Sequence, residues 1–207
     1  MFSSLFRVII YRDIFNKGDV MNIEDYKDII RPMMGERRYN HCVNVSVEAV
    51  RLARKYGADE EKAAVAGILH DITKEVDFEN QLQIIDSGDI ILTDVEKRTN
   101  KLWHAISGSV YIQKYLGITD ADIINAIRYH TTGRAGMSVL EKVIFLADFT
   151  SAERDYEDVD VIRKKADISL EEGMLYGVEF TLKKLLEKGS FLSVDAIDLY
   201  NEILLNR

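Results

Sequence analysis

Cysteine and proline each occur once in this chain, as Cys42 and Pro32. A lone thiol cannot close an internal disulfide, so the fold has to stand on its core, and a reducing, cytoplasmic setting is expected. With one proline in 207 residues, little interrupts the helix-length runs rich in Ala, Leu, Glu and Lys, and no alternating strand pattern competes with them. Cationic charge is scarce too: 27 Lys and Arg stand against 35 Asp and Glu, for a formal net charge of -8. Such a balance gives no electrostatic footprint for a nucleic-acid polymer, and an anionic substrate would have to be held by metal ions and a few local cations. No run approaches the roughly 20 apolar residues that cross a bilayer, so no membrane partner is expected.

What is present fits one all-α domain, a helical bundle. Hydrophobic types at 47% and charged types at 30% supply one full core, and the length is too short for two large ones. Residues 1–20 stand apart. Leu5 to Ile10 is apolar but too short for a secretory core, and no small-residue cleavage site follows it. Met21 is taken as the natural start, with 1–20 a non-native or disordered extension and 21–207 the domain proper.

Along that domain, Val43, Val47, Val50 and Leu52 fall at near-helical spacing between Tyr39 and Tyr56, and Gly57 supplies a left-handed stop. His41 is expected in the first turn of this helix. Asp59 caps a second helix whose body, Ala63 to Leu69, looks buried on nearly every side and ends at His70-Asp71. Asp77 to Ile85 reads as a short helix and Ser87 to Asp89 as a turn. Thr93 with Glu96 forms a capping box opening the helix that leads to Trp103-His104, and small residues around Gly108 would permit close packing. Thr119 and Asp122 cap a helix ending at His130, and Ser138 with Glu141 makes a second capping box before Val139 to Phe149. Thr150 to Asp160 reads as a polar loop, followed by two closing helices from Ser169 to about Gly189 and from Ser193 to Asn206.

Histidine is as sparing as cysteine is: His41, His70, His104 and His130 are the whole stock. A lone half-buried histidine is usually a core residue or a solvated tip. Here all four lie in the central stretch beside apolar runs, and two aspartates join them. Asp71 adjoins His70, and Asp148 closes the run Val143 to Ala147, where an unpaired charge would be costly to bury. Imidazole and carboxylate together suit divalent iron, manganese, nickel, cobalt or zinc without selecting among them.

This is the ligand complement of a two-metal hydrolytic site. His41, His70, Asp71 and Asp148 are assigned to one ion, and His104, His130 and a bridging Asp71 to a second. Neighbouring residues on a helix project about 100° apart, so His70 and Asp71 can both reach such ions only beside the helix end. Two ions about 3.5 to 4 Å apart lower the pKa of a shared water and clamp the attacking and leaving oxygens of a phosphoryl group. Asp71 is thus a catalytic candidate as well as a ligand. Lys74, one turn on, is a candidate for catalysis and for phosphate binding, and Arg134 and Arg154 are phosphate-binding candidates because guanidinium forks match phosphate oxygens. Each could instead be a surface ion-pair partner. Trp103 and Tyr129 flank ligand candidates and could stack on a base or pack in the core.

His41, His70-Asp71-Ile72-Thr73-Lys74, Trp103-His104-Ala105, His130-Thr131-Thr132-Gly133-Arg134 and Met137 to Lys142 through Ala147-Asp148 together resemble the HD superfamily of metal-dependent phosphohydrolases. More narrowly they resemble its YqeK-type branch, the symmetrical diadenosine tetraphosphate hydrolases, from about Met21 to the C-terminus. The resemblance implies an all-helical fold, a dinuclear iron-type centre at the six residues, cleavage of the dinucleotide into two ADP by a metal-bridging hydroxide, and a homodimer. Thr150 to Arg154 departs from the family pattern, which commonly has an acidic residue and a proline there. Two further readings share the same residues: a nucleotidase or cyclic-nucleotide phosphodiesterase, and a nucleotide-sensing module without turnover.

Overall fold

The computed structural model describes residues 21–207, so the extension expected over 1–20 lies outside the described residues. Those described residues form eleven α-helices and two short 3-10 turns, without a strand, as the composition requires. No helix among them is long and apolar enough to cross a membrane.

Helix α1 (Ile23–Ile30) opens on a capping box, Asn22 accepting from the Asp25 amide and Asp25 from the Asn22 amide. The central helix is α2 (Glu36–Tyr56). Its buried stripe of His41, Cys42, Val45, Ser46, Ala49, Leu52 and Ala53 recurs at three- and four-residue steps, which places His41 inside the molecule with the core residues. His41 lies in the second turn, because the helix begins three residues earlier than expected. Gly57, at φ 76°, ends it in the left-handed conformation.

Helix α3 (Glu60–Leu69), capped by Asp59, lies tightly against α2. Backbone meets backbone there: a Cβ on Gly67 would sit 2.6 Å from Ser46 Cα, while the Ser46 hydroxyl donates to the Ala64 carbonyl at 2.9 Å. At Gly108, the glycine expected to permit close packing, a Cβ would meet nothing nearer than 3.5 Å. Helix α4 (Phe78–Asp86) follows on its Asp77 cap.

The Thr93–Glu96 capping box forms, but the helix it opens, α5 (Asp94–Arg98), stops at Thr99. A 3-10 turn (Asn100–Leu102) intervenes before α6 (Trp103–Tyr115). The Trp103 indole N–H donates to the Glu96 carbonyl at 2.7 Å, taking the acceptor that a continuing helix would offer to Asn100. Helix α7 (Ala121–Tyr129) is capped by Asp120, which accepts from the Asp122 and Ile123 amides; the expected Thr119–Asp122 pair does not form the cap. Helix α8 (Val139–Thr150) has the expected Ser138–Glu141 capping box.

The polar loop is shorter than expected, because α9 (Val159–Ile168) begins inside it after Asp158, a non-glycine residue at φ 70°. Helices α10 (Leu170–Glu187) and α11 (Val194–Leu205) complete the chain, the first capped by the Ser169 side chain and the second without a side-chain cap. Helix α8 packs on α2, α3, α7 and α10, and α7 on α3 and α6. The ends of α3, α7 and α8 and the start of α6 are thereby brought beside the early turns of α2.

The Gly67 contact gives the first expected outcome. Gly67→Ala forces α2 and α3 apart at a backbone contact that cannot relax through a rotamer. The protein should lose about 1–3 kcal/mol despite alanine's helix propensity. A urea-unfolding midpoint equal to or above that of the wild type would contradict this account of the α2–α3 packing.

Candidate metal centre

Five segments deliver six side chains to one buried place: His41 from α2, His70 and Asp71 from the end of α3, His104 from the first turn of α6, His130 after α7, and Asp148 from the last turn of α8. The four histidines and Asp71 are buried, and Asp148 retains partial exposure.

Each imidazole is oriented by its outer nitrogen. His70 Nδ1–H donates to the Gly67 carbonyl, His104 Nδ1–H to that of Lys101 and His130 Nδ1–H to that of Ile127, each at 2.8 Å. The acceptor is the carbonyl three residues earlier in all three cases. His41 Nδ1–H donates to the Glu153 carboxylate. These bonds fix the tautomers and aim every Nε2 lone pair inward. His41 Nε2 lies 3.2 Å from His70 Nε2, and His104 Nε2 lies 3.2 Å from His130 Nε2.

Asp71 divides its carboxylate between these two pairs. Oδ2 is 3.7 Å from His41 Nε2 and 3.4 Å from His70 Nε2, whereas Oδ1 is 3.3 Å from His104 Nε2 and 3.7 Å from His130 Nε2. Asp148 Oδ1 joins the first pair, 3.1 Å from His41 Nε2 and 3.9 Å from His70 Nε2. Three triads bring one ligand atom from each member within 4.8 Å of one another: His41, His70 and Asp71; Asp71, His104 and His130; and His70, His130 and Asp148. The third triad crosses between the two expected halves, so the halves are contiguous.

Divalent cations fit this arrangement. Asp71 Oδ1 is a buried oxygen with no hydrogen-bond partner among the described residues, which is costly for a carboxylate. Imidazole lone pairs facing each other at 3.2 Å repel unless a proton or cation lies between them. The donor set of nitrogen and carboxylate oxygen is one that first-row metals accept.

Titration behaviour follows from the same packing. Burial works to raise the Asp71 carboxyl, but His70, His130 and His104 outweigh it and hold the pKa well below the usual carboxylate range. For Asp148, burial is likewise overcome, by His41 and Arg154. Burial drives His104 well below the ordinary histidine value, with Asp71 opposing, which keeps the imidazole neutral and able to donate its lone pair.

The cations expected to meet phosphate are placed differently from one another. Lys74 Nζ lies 3.0 Å from His104 Nε2 and 3.9 Å from Asp71 Oδ1, and its pKa is lowered by burial against the pull of Asp71 and Asp148. Arg154 Nη2 pairs with Asp148 Oδ1, while its Nε donates to the Asp148 carbonyl at 2.7 Å. Arg134 is not hydrogen-bonded to any of the six residues. Its fork grips buried Glu141 at 2.7 and 2.9 Å, tying the connector to the start of α8, and it lies over the Tyr129 ring. Trp103 meets Phe78 edge-on, with centroids 5.9 Å apart.

Three participants escaped the sequence analysis. Arg38 donates to Asp71 Oδ2 at 2.6 Å; its spacing three residues before His41 places both on one face of α2, and that spacing was the available signal. Glu153 had shown only as part of a polar loop. Thr131 Oγ1 lies 3.0 Å from His130 Nε2 and 3.2 Å from His104 Nε2, and nothing but its adjacency to His130 marks it.

Depressed carboxyl pKa values make a stability prediction for protein stripped of metal by a chelator. Asp71 and Asp148 contribute stability that is present above the unfolded carboxyl pKa of about 4 and is lost as pH falls toward the lower native values. The urea midpoint should therefore fall on acidification below about pH 5. Asp71→Asn should show a shallower acid limb, and an acid limb parallel to that of the wild type would contradict the shift.

Residues 38–153 match the HD domain family model, an interval that runs from Arg38 to Glu153. A symmetrical bis(5'-nucleosyl)-tetraphosphatase from Halalkalibacterium halodurans is 35% identical over 90% of this chain and 100% of its own length. A second, from Bacillus subtilis, is 36% identical over 87% of this chain and 97% of its own length. The crystal structure of a predicted HD superfamily hydrolase involved in NAD metabolism, from Clostridium acetobutylicum, superposes with a TM-score of 0.88 at 36% identity, covering 91% of this chain and 100% of that one. By fold, by matched interval and by relatives aligned along nearly their whole length, the chain belongs to the HD-domain family of these hydrolases.

Proposed function

We propose that the chain is a metal-dependent phosphohydrolase that cleaves diadenosine tetraphosphate, or a related dinucleoside tetraphosphate, symmetrically into two nucleoside diphosphates. The observation that carries this reading is the division of Asp71, one oxygen toward His41 and His70 and the other toward His104 and His130. The names borne by relatives 35% and 36% identical supply the substrate class.

His41, His70, Asp71 and Asp148 would hold one divalent ion and His104, His130 and Asp71 the other, with iron the metal assigned by the family resemblance. Bound ions of this kind lower the pKa of water and neutralise developing charge on phosphoryl oxygens. In the reaction, water adds to one phosphorus of the central anhydride. The bridging oxygen leaves with the other half, so each half departs as a diphosphate.

The chain's own groups supply positioning and charge. Arg38, Lys74 and Arg154 each stand beside a carboxylate of the centre, and their side chains are 28%, 34% and 35% exposed. These three cations lie where an incoming polyphosphate would find both water-facing charge and buried acceptors, which suits an acidic protein that cannot attract anions by its overall field. Lys74 Nζ, 3.0 Å from His104 Nε2 and biased by burial toward giving up its proton, is the group we assign to donate a proton to the oxygen that leaves. Nδ1 bonds to fixed carbonyls keep the imidazoles from turning as charge develops.

Metal-loaded protein prepared anaerobically should convert diadenosine tetraphosphate to ADP as the sole nucleotide product on ion-exchange chromatography. AMP with ATP, or activity confined to nucleoside monophosphates or cyclic dinucleotides, would overturn the assignment; intact dinucleotide after hours would favour a sensing module. Asp71→Ala should lower kcat by about a thousandfold or more, the equivalent of several kcal/mol of charge stabilisation. Lys74→Ala should lower kcat about a hundredfold with a smaller change in KM. Undiminished turnover in either variant would remove that residue from the mechanism.

A further inference from the structure

Glu153 and Arg154 touch the centre from the loop between α8 and α9. Glu153 accepts from His41 Nδ1–H and from the Ser151 hydroxyl, the latter at 2.8 Å, and Arg154 pairs with Asp148. Their precision depends on what holds the backbone after α8. Within the loop, the Ser151 amide donates to the Ala147 carbonyl and the Arg154 amide to that of Ser151, each at 3.0 Å.

The carbonyls of Thr150, Ser151 and Arg154 converge on one side chain from a different element, Arg163 of α9. Its Nε donates to Thr150 O at 3.2 Å, and its Nη2 to Ser151 O at 2.9 Å and Arg154 O at 3.0 Å, while Nη1 pairs with Asp160 at 3.2 Å. A helix C-terminus leaves carbonyls without intrahelical partners and carries partial negative charge, so a cation at the end of α8 is favoured twice over. A guanidinium reaches several acceptors with fixed geometry, which a lysine's point charge cannot do.

We propose that Arg163 is a positioning residue for the His41–Asp148 half of the centre, acting through Glu153 and Arg154 and leaving the His104–His130 half untouched. No ligand atom of the second half is contacted by this loop in the hydrogen bonds described above. His104 and His130 are oriented by the carbonyls of Lys101 and Ile127. Arg163 therefore governs how tightly one ion of two is held. The inference rests on the proposed pair of ions, but not on the substrate.

The test is manganese(II) titration of chelator-stripped protein, without nucleotide, counting free ion by electron paramagnetic resonance. Arg163→Gln, one contact further out than a direct partner of a metal ligand, should weaken one of two sites by up to the roughly 10- to 100-fold that loss of such a partner causes, and leave the other as in the wild type. Glu153→Ala should give the same split. The double variant should weaken that site by less than the product of the two single effects, because both changes release His41 and only the loss of Arg163 also frees Arg154. Arg163→Lys should recover only part of the loss.

Wild-type binding at both sites in Arg163→Gln, or equal weakening of both, would overturn the proposal, as would a wild-type chain that holds one ion only. Should Arg163→Gln fail to fold, Glu153→Ala decides alone, and wild-type binding in that variant would count against the proposal. A chain that shows the split yet leaves the dinucleotide intact would sink the assigned substrate and spare Arg163.

Discussion

A carboxylate placed among four imidazoles in the interior is the constraint around which this molecule is organised. Asp71 is 2% exposed and His70 is wholly buried. In such a place an uncompensated negative charge, or a cluster of inward lone pairs, would cost more than a typical domain can absorb. Arg38 and Lys74 approach Asp71 from the rim, but Oδ1 has no hydrogen bond among the described residues. The local fold is comprehensible as a frame that keeps this carboxylate charged, splits its two oxygens between two histidine pairs, and leaves cations to complete the electrostatics.

The frame is made largely from helix ends. His70 and His130 cap the C-termini of α3 and α7, where backbone carbonyls lack intrahelical partners, and each ring N–H takes the carbonyl three residues before it. His104 repeats the arrangement against the 3-10 turn that precedes α6. One device thereby satisfies an orphan acceptor, selects a tautomer and aims an Nε2. It also explains why the helix expected to run unbroken from Thr93 to His104 is interrupted. The turn at Asn100–Leu102 is what presents the Lys101 carbonyl to the ring.

Much of this was legible from residues alone, and the reason differs from part to part. The six donor residues stood out because histidine is rare in the chain and because Asp71 and Asp148 end apolar runs, a placement that hydrophobic patterning makes visible. Caps at Asp59, Thr93 and Ser138 were readable because their chemistry is local. Helix α9 was not, since a run of acidic residues hides its start and Asp158 takes a left-handed conformation that no local rule demands. Nor was the split between Arg154, which reaches the centre, and Arg134, which holds Glu141. Both arginines sit in connectors after a ligand, and only the path of the chain in three dimensions separates them. Glu153 lay in the same blind spot, because its partner His41 is 112 positions away in sequence.

The two halves of the centre are consequently unlike in what secures them. His104 and His130 lean on main-chain carbonyls of the turns that carry them, and those turns are pinned by the packing of α6 and α7. His41 and Asp148 lean on side chains of the segment between α8 and α9, whose backbone is bound at its carbonyls by a single arginine. Support from main chain inside packed helices is stiff, while support from a short polar loop opens at lower free energy. Two ions sharing that carboxylate, as proposed, need not be held alike. The half beside the loop is the one with two members, His41 and Asp148, held by that loop, and it is also the half flanked by two guanidiniums, Arg38 on Asp71 Oδ2 and Arg154 on Asp148. A polyphosphate drawing on those guanidiniums would compete with Asp71 and Asp148, the carboxylates proposed to hold the ion. On the proposed reading, substrate binding and metal retention on that side are linked, whereas on the other side Lys74 is the cation beside His104.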